Sequence, residues 1–422
     1  MSASPSSLRL GFIALNDSAP LVVARERGLF ERHGVRVELV REPSWANLRD
    51  KVHAGLLDGA QMLAPMPIAA SLGIDGPVAP MVAPMSLGLN GNAITVSNAL
   101  FERLRRADPA ALADRTRTAH ALRSVVLADR ERGGPPLRFG VVFPYSAHYY
   151  ELLYWAASAG IDPFRDLEIS VVPPVFMAEA LRRGRLDGYC VGEPWNQVAV
   201  EEGVGRAVIS KCDIWNHSPE KVLAFTREGA ERRPEPVRAV VRALIEAARW
   251  VDEDENRREA AAMIAAAPYV DAPVSVVARG LLGRPRLGDR VVDLPDFHVF
   301  HRHAATFPWI SHAMWFMTQM IRWGQVEKPF ALRPAASEVY RTDLYADAAR
   351  EVSEPMPEVD SKVEGEHAEP WWLEDASEPI AMGPDRFLDG RVFDPDDIVT
   401  HLEQSPVTRL RLRLDDLATW NP

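Results

Sequence analysis

Apolar positions arrive in short runs that alternate between two periods. Leu8–Ala14 is a compact run of the kind that forms a buried strand. Asn16-Asp17-Ser18 supplies N-cap candidates, Pro20 suits a first turn, and Leu21–Arg27 reads as a helix closed by Gly28. Gly34 then turns the chain into Val35–Val40, where apolar and charged residues alternate as on a half-exposed strand. Strand, helix, strand in this order predicts a parallel sheet.

The rhythm repeats. Trp45–Leu57 reads as a helix, Ala60–Leu63 as a strand, and Ile68–Leu72 as a small-residue helix opened by Pro65-Met66-Pro67. Pro80–Pro84 is apolar, and the glycine-rich turn from Leu87 leads into a strand ending at Val96. Residues 99–136 break the pattern. They are rich in Arg, Ala and Asp, and they read as surface helices ending at Gly133-Gly134-Pro135-Pro136. Strands are expected again at Phe139–Phe143, Leu167–Val172, Tyr189–Val191 and Ala207–Ser210, with helices at His148–Ala159 and Phe176–Arg183. From Glu235 the chain turns helical. Val237, Val240, Val241, Leu244 and Ala248 fall on one helical face. Glu255–Ala265, Pro273–Leu281 and Trp315–Trp323 are similar in kind. Residues 351–378, acidic and proline-containing, read as a loop or tail with little packing, and Phe387–Pro395 as a short turn and strand.

The stretch from Tyr189 to Lys221 organises the rest. Its strand ends at Gly192, and Glu193-Pro194 starts a helix with proline in the first turn. A strand ending in glycine at a helix start presents backbone N–H groups to a small ligand. Trp215-Asn216-His217-Ser218-Pro219-Glu220-Lys221 follows, polar and aromatic, unlike a core segment. Lys221 is also marked by scarcity. The lysines are Lys51, Lys211, Lys221, Lys328 and Lys362, and every other basic side chain is arginine. An ammonium is a compact point charge where guanidinium is a planar fork, so a lysine here points to a need for shape.

Composition narrows the functional classes. A net charge of −11 opposes a general nucleic-acid or membrane-surface binder, which needs a basic face. No run approaches the roughly 20 apolar residues of a membrane span. Met-Ser-Ala-Ser-Pro-Ser-Ser carries no basic region, apolar run or cleavage site, which predicts a cytoplasmic protein without a secretory leader. Cys190 and Cys212 are the only cysteines and form no metal set, so both are expected as free thiols. No cofactor, metal site or catalytic set is expected: Glu193 beside Pro194 suits a helix start better than a general base.

Several phrases together carry a family resemblance. They are Leu15-Asn16-Asp17-Ser18-Ala19-Pro20-Leu21, Ser44-Trp45-Ala46-Asn47-Leu48-Arg49-Asp50, and Asp58-Gly59-Ala60-Gln61-Met62-Leu63-Ala64-Pro65-Met66-Pro67. Leu89-Asn90-Gly91-Asn92, Val191-Gly192-Glu193-Pro194-Trp195-Asn196 and Ser218-Pro219-Glu220-Lys221 follow, then Ile321-Arg322-Trp323-Gly324 and Asp389-Gly390-Arg391-Val392-Phe393-Asp394-Pro395. In this order the chain resembles the nitrate- and bicarbonate-binding proteins of ABC transporters, and more narrowly the cytoplasmic nitrate/nitrite sensors of the NasS type. The resemblance implies an α/β, two-lobed fold of the periplasmic-binding-protein type (type II), with the ligand in the cleft between lobes. Residues 8–97 and 222–422 would form lobe one, and 98–221 lobe two.

Carried over by position, the resemblance makes Trp45, Asn92, His148, Gly192 and Lys221 the anion-binding residues. Asn92 stands where the transport proteins carry glutamine, keeping the amide but shortening its reach. His53, His217, His301, His303 and His312 are expected as surface or packing residues. Nitrate is planar, singly charged and has three acceptor oxygens, so it needs amide and imidazole donors, an aromatic wall and one cation. A unit charge pair near 4 Å contributes roughly 4 kcal/mol at an effective dielectric of about 20. The resemblance also implies a partner: an RNA-binding antiterminator of the NasT type, held by the sensor and released when the anion binds. The alternatives are the nitrate-binding component of an ABC transporter and a bicarbonate receptor. Bicarbonate receptors of this family replace the lysine with a carboxylate and use calcium, which Lys221 opposes.

Overall fold

A computed structural model describes residues 6–420. Residues 1–5, on which the reading of a missing leader partly rests, lie outside the described residues, as do 421 and 422. Two five-stranded sheets carry the architecture. The first has the order Val35–Glu42, Ser6–Ile13, Gly59–Leu63, Lys221–Thr226, Met81–Ser86. Its first three strands run parallel, and Lys221–Thr226 is antiparallel to both of its neighbours. The second has the order Gly205–Ser210, Asn92–Ser97, Gly188–Gly192, Leu137–Val141, Leu167–Val171.

Each sheet is built by the pattern that predicted it. Strand Gly59–Leu63 is buried along its whole length, as a central strand covered on both faces must be. Strand Val35–Glu42 alternates buried and exposed residues at the edge of its sheet. Helix Pro234–Asp252 buries Val237, Val240, Val241, Leu244 and Ala248 and packs against helices Ala19–Glu26 and Thr342–Glu351. The excursion after residue 98 forms helices Asn98–Ala107, Pro109–Ala113 and Thr118–Glu131, the first of which packs on the second sheet.

Four expectations need correction. The chain changes sheets before Asn92 rather than after residue 97, because strand Asn92–Ser97 pairs with Gly188–Gly192 and Gly205–Ser210. The turn falls at Gly88, Asn90 and Gly91, which hold φ of 134°, 66° and 89°, and that conformation ends the preceding strand. Trp215 to Lys221 is not a surface stretch: Trp215, His217, Ser218, Glu220 and Lys221 are all buried. Trp215 stacks on Phe387 at 4.5 Å between ring centroids. Residues 351–378 do not hang loose. Strand Trp371–Leu373 pairs with Ile380–Met382, and buried Glu364 accepts from the Ser311 hydroxyl at 2.7 Å and binds Lys362. Finally, Phe387–Pro395 forms no strand, only the isolated bridges Trp215–Phe387 and Glu364–Phe393.

The two sheets meet through hydrogen bonds at their strand ends, one of them between backbones. Asn16 N–H donates to the Glu193 carbonyl at 2.8 Å, and Trp195 Nε1 donates to the Ala14 carbonyl at 2.9 Å. Ligands in open α/β sheets gather at the carboxyl ends of strands. Here those ends are Ile13, Leu63 and Gly192.

Candidate functional site

Helix starts and strand ends deliver the polar groups. Ser44 caps helix Trp45–His53 by accepting from Asn47 N–H, which fixes Trp45 at the first position. Ser146 caps helix Ala147–Ser158 in the same way, accepting from Tyr149 N–H at 3.0 Å, and places His148 one residue in. Asn92 opens its strand directly opposite Gly192. A Cβ at Gly192 would approach Asn92 Oδ1 and Leu15 Cδ2 to 3.3 Å, a contact tighter than neighbours normally allow. Lys221 opens the strand that leads back into the first sheet.

All five sequence-predicted residues therefore converge, and Lys221 lies at the centre. Its ammonium sits 2.8 Å from Asp17 Oδ2, touches Glu220, and faces the Trp45 ring 5.4 Å from its centroid. Burial alone would push the Lys221 pKa down, but Asp17 and Glu220 more than offset it, so the ammonium stays charged. His148 is fully buried with Nε2 3.5 Å from Glu220 Oε1. Burial, aided by Lys221 and Lys211, lowers its pKa to about 3 against the pull of Glu220, so the ring is neutral and carries one N–H.

The sequence reading missed the acidic half of the site. Asp17, expected as a cap, accepts from Gln61 Nε2 at 2.6 Å besides pairing with Lys221. Glu151, one helical turn after His148, binds the Lys211 ammonium at 2.7 Å. Glu220 binds both Lys211 and Lys221. Asn92 spends its amide on this network, donating to Glu220 at 2.6 Å and Glu151 at 3.1 Å. Its donor is thus already engaged by protein carboxylates. Two ammoniums face three carboxylates. Burial raises the Asp17 and Glu151 pKa values, while Lys211 and Lys221 outweigh burial and hold Glu220 down. The cluster therefore favours the ionised form of Glu220.

Two buried donors remain unspent. Trp45 Nε1 has no hydrogen-bond partner among the described residues, and neither ring nitrogen of His148 has one. A buried N–H without an acceptor costs about 1–3 kcal/mol. The Trp45 ring lies beside the Lys221 ammonium and the His148 ring beside Glu220, so both are near enough for one acceptor-rich ligand to reach. Glu193 plays a different part. Its carboxylate accepts from Gln197 N–H at 3.1 Å, fixing the helix that starts at Trp195, and burial raises its pKa to about 7.

Two α/β lobes joined at their strand ends over a buried polar cluster define the fold of the periplasmic substrate-binding proteins. The chain belongs to the NMT1-like family, whose model matches residues 2–265. Its sequence is 35% identical to the nitrate import ATP-binding protein NrtC of Synechocystis sp., over 96% of this chain and 56% of that protein. It is 33% identical to the bicarbonate transport ATP-binding protein CmpC of Synechocystis sp., over 96% of this chain and 55% of that protein. The chain thus spans about half the length of these two relatives. The crystal structure of the periplasmic nitrate-binding protein NrtA from Synechocystis PCC 6803 superposes with a TM-score of 0.82 at 26% identity, covering 95% of this chain and 98% of that one.

Proposed function

We propose that the protein is a receptor, not an enzyme, for a small planar oxyanion, nitrate or nitrite, bound between the lobes at Lys221. The observation that carries this reading is the pair of unspent buried donors, Trp45 Nε1 and His148, beside a buried ammonium. Nitrate offers three acceptor oxygens and no donor, which matches what the donors lack. Relatives named for nitrate support the choice, although others are named for bicarbonate. Bicarbonate adds an O–H, which the carboxylates of Asp17, Glu151 and Glu220 could accept. The retained lysine favours the anion without a proton.

Lys221, His148 and Trp45 are nearly inaccessible to water. An anion reaches them only when the lobes part, so binding and lobe closure are one event. Service as the binding component of an ABC transporter is the role that the relatives' names support best. A cytoplasmic sensor that holds an RNA-binding antiterminator and releases it to nitrate has the family resemblance as its support. Co-purification from nitrate-free cells, followed by a nitrate wash, separates the two: the sensor role requires an antiterminator that elutes with nitrate.

Nitrate and nitrite are expected to raise the melting temperature of the purified protein, because a ligand that binds only the folded state stabilises it by mass action. Bicarbonate with calcium is expected to do little. A thermal-shift series showing the reverse order would replace nitrate by bicarbonate at this site.

A further inference from the structure

A second polar cluster lies outside the lobe interface, at the loop that leads into Lys221. His217 comes from that loop, and Asp296 and His303 flank the strand His298–Val299. One ring nitrogen from each histidine and a carboxylate oxygen all lie within 4.8 Å of one another. His217 Nε2 faces Asp296 Oδ2 at 3.3 Å, and His303 Nε2 lies 3.9 Å from Asp296 Oδ1. The ring centroids are 4.5 Å apart.

The other nitrogen of each ring is fixed. His217 Nδ1 lies 2.6 Å from the Pro384 carbonyl, and His303 Nδ1 lies 2.9 Å from the Ala381 carbonyl. A carbonyl only accepts, so each Nδ1 carries a hydrogen, and Nε2 is the ring atom left to face Asp296. Both Nε2 atoms and the carboxylate therefore face one another. His217 is buried, and its Nε2 has no hydrogen-bond partner among the described residues. A backbone carbonyl on the far nitrogen is also how metal-binding histidines are held in tautomer and orientation.

The surroundings are shaped for this placement. His217 and His303 both adopt left-handed backbone, with φ of 55° and 61°, a conformation that costs a side-chain-bearing residue roughly 1 kcal/mol or more. Gly383 has no side chain where a Cβ would come within 1.9 Å of His217 Cε1. Arg302 holds Asp296 Oδ1 at 3.3 Å, which leaves Oδ2 turned to His217.

We propose that His217, Asp296 and His303 form a binding site for a divalent transition-metal ion of the zinc class, with two imidazoles and one carboxylate as protein ligands. This set matches the mixed nitrogen and oxygen donors that zinc accepts at three positions, with the fourth left for water or a small ligand. Tetrahedral ligands at about 2.0–2.2 Å from zinc stand roughly 3.3 Å apart. His217 and Asp296 already have that spacing, and His303, within 4.8 Å of both, closes the set by a shift of at most about 1.5 Å. A small crevice lined by His312, Lys362 and Asp385 lies beside His217 and His303.

Such an ion would brace the crossover between the lobes. The Asp296 carbonyl accepts from Asn90 Nδ2 at 2.8 Å, and Asn90 Oδ1 accepts from Ser218 N–H at 3.0 Å. Both bonds lie beside the segments that change sheets. The metal would join these segments to the C-terminal strand Ile380–Met382, whose neighbours orient the two rings.

The test is a titration of chelator-treated protein with zinc by calorimetry and with cobalt by visible absorption. The wild type is expected to bind one equivalent, with the d–d bands of tetrahedral cobalt. His303→Gln and Asp296→Asn are each expected to weaken zinc binding by about 100-fold or more, since loss of even an outer-shell partner costs 10–100-fold. His217→Gln should do the same. If that buried substitution prevents folding, the other two decide. His120→Gln, at an exposed histidine, should leave zinc binding unchanged. No stoichiometric binding by the wild type, or a loss below tenfold in both His303→Gln and Asp296→Asn, would overturn the assignment.

Discussion

Lys221→Glu is expected to abolish nitrate binding, lowering affinity by roughly a thousandfold or more. The substitution replaces attraction by repulsion at the buried centre of the site. Loss of the attraction alone is worth about 4 kcal/mol for charges near 4 Å at an effective dielectric of about 20, or nearly three decades in Kd. It also leaves Asp17 and Glu220 facing a third carboxylate where both now hold an ammonium. The melting temperature should therefore fall as well. Lys221→Gln separates the two effects. A neutral amide keeps a donor, so nitrate binding should weaken by only about ten- to a hundredfold, the difference between a charge-assisted and a neutral hydrogen bond. Calorimetry showing wild-type affinity in the glutamate variant would remove Lys221 from the site.

Glu220→Gln should separate stability from binding in the opposite sense. Glu220 touches Lys211, Lys221, Asn92 and, at 3.5 Å, His148. Removing its charge leaves two buried ammoniums underpaired, and breaking a buried pair from one side costs about 3–5 kcal/mol. Chemical denaturation at pH 7 should show a loss of that order. Nitrate affinity should nevertheless rise, because Glu220 competes with the ligand for Lys221. The pH dependence has a definite sign. Burial would raise the Glu220 pKa, but the lysines hold it below its ordinary value of about 4.5. Its stabilisation is therefore complete above that ordinary value and is lost as pH falls toward the folded one. The variant should lack this acid-side loss. Asp17 and Glu151, with raised pKa values, act oppositely: their contribution grows as pH falls through the raised values. A Glu220→Gln protein with lost nitrate affinity would mean that Glu220 holds the ligand rather than opposing it.

The basic and aromatic half of this cluster was legible in the sequence, and the acidic half was not. Trp45, Asn92, His148, Gly192 and Lys221 each lie at a helix start or strand end that local signals mark, namely Ser44, Ser146, the glycine turn and the strand boundaries. Asp17 escaped because Asn-Asp-Ser before a proline reads locally as a cap. Its true partner, Lys221, is brought near only by the pairing of Gly59–Leu63 with Lys221–Thr226. Glu151 had a usable signal, since three residues after His148 it faces the same way on the helix. The scarcity of lysine also said more than one residue could show: Lys211 is as buried as Lys221 and belongs to the same network.

Composition misled at residues 351–378. Acidic residues ordinarily stay in solvent, but Glu364 is buried because Ser311, His312 and Lys362 surround it. The same cause hid the histidines. His217 and His303 look like scattered polar residues, and only the folding of residues 380–384 over them gives each ring its carbonyl. Periodicity reports which face is buried, not which distant polar group waits there.

A crystal structure grown in saturating nitrate tests the central claim most directly. The account predicts a planar anion between the lobes, with oxygens within hydrogen-bonding distance of Trp45 Nε1, a ring nitrogen of His148 and Lys221 Nζ, and with Glu220 drawn away from Lys221. An anion seated elsewhere, or a Lys221 still held by Glu220 and Asp17 with no anion beside it, would contradict it.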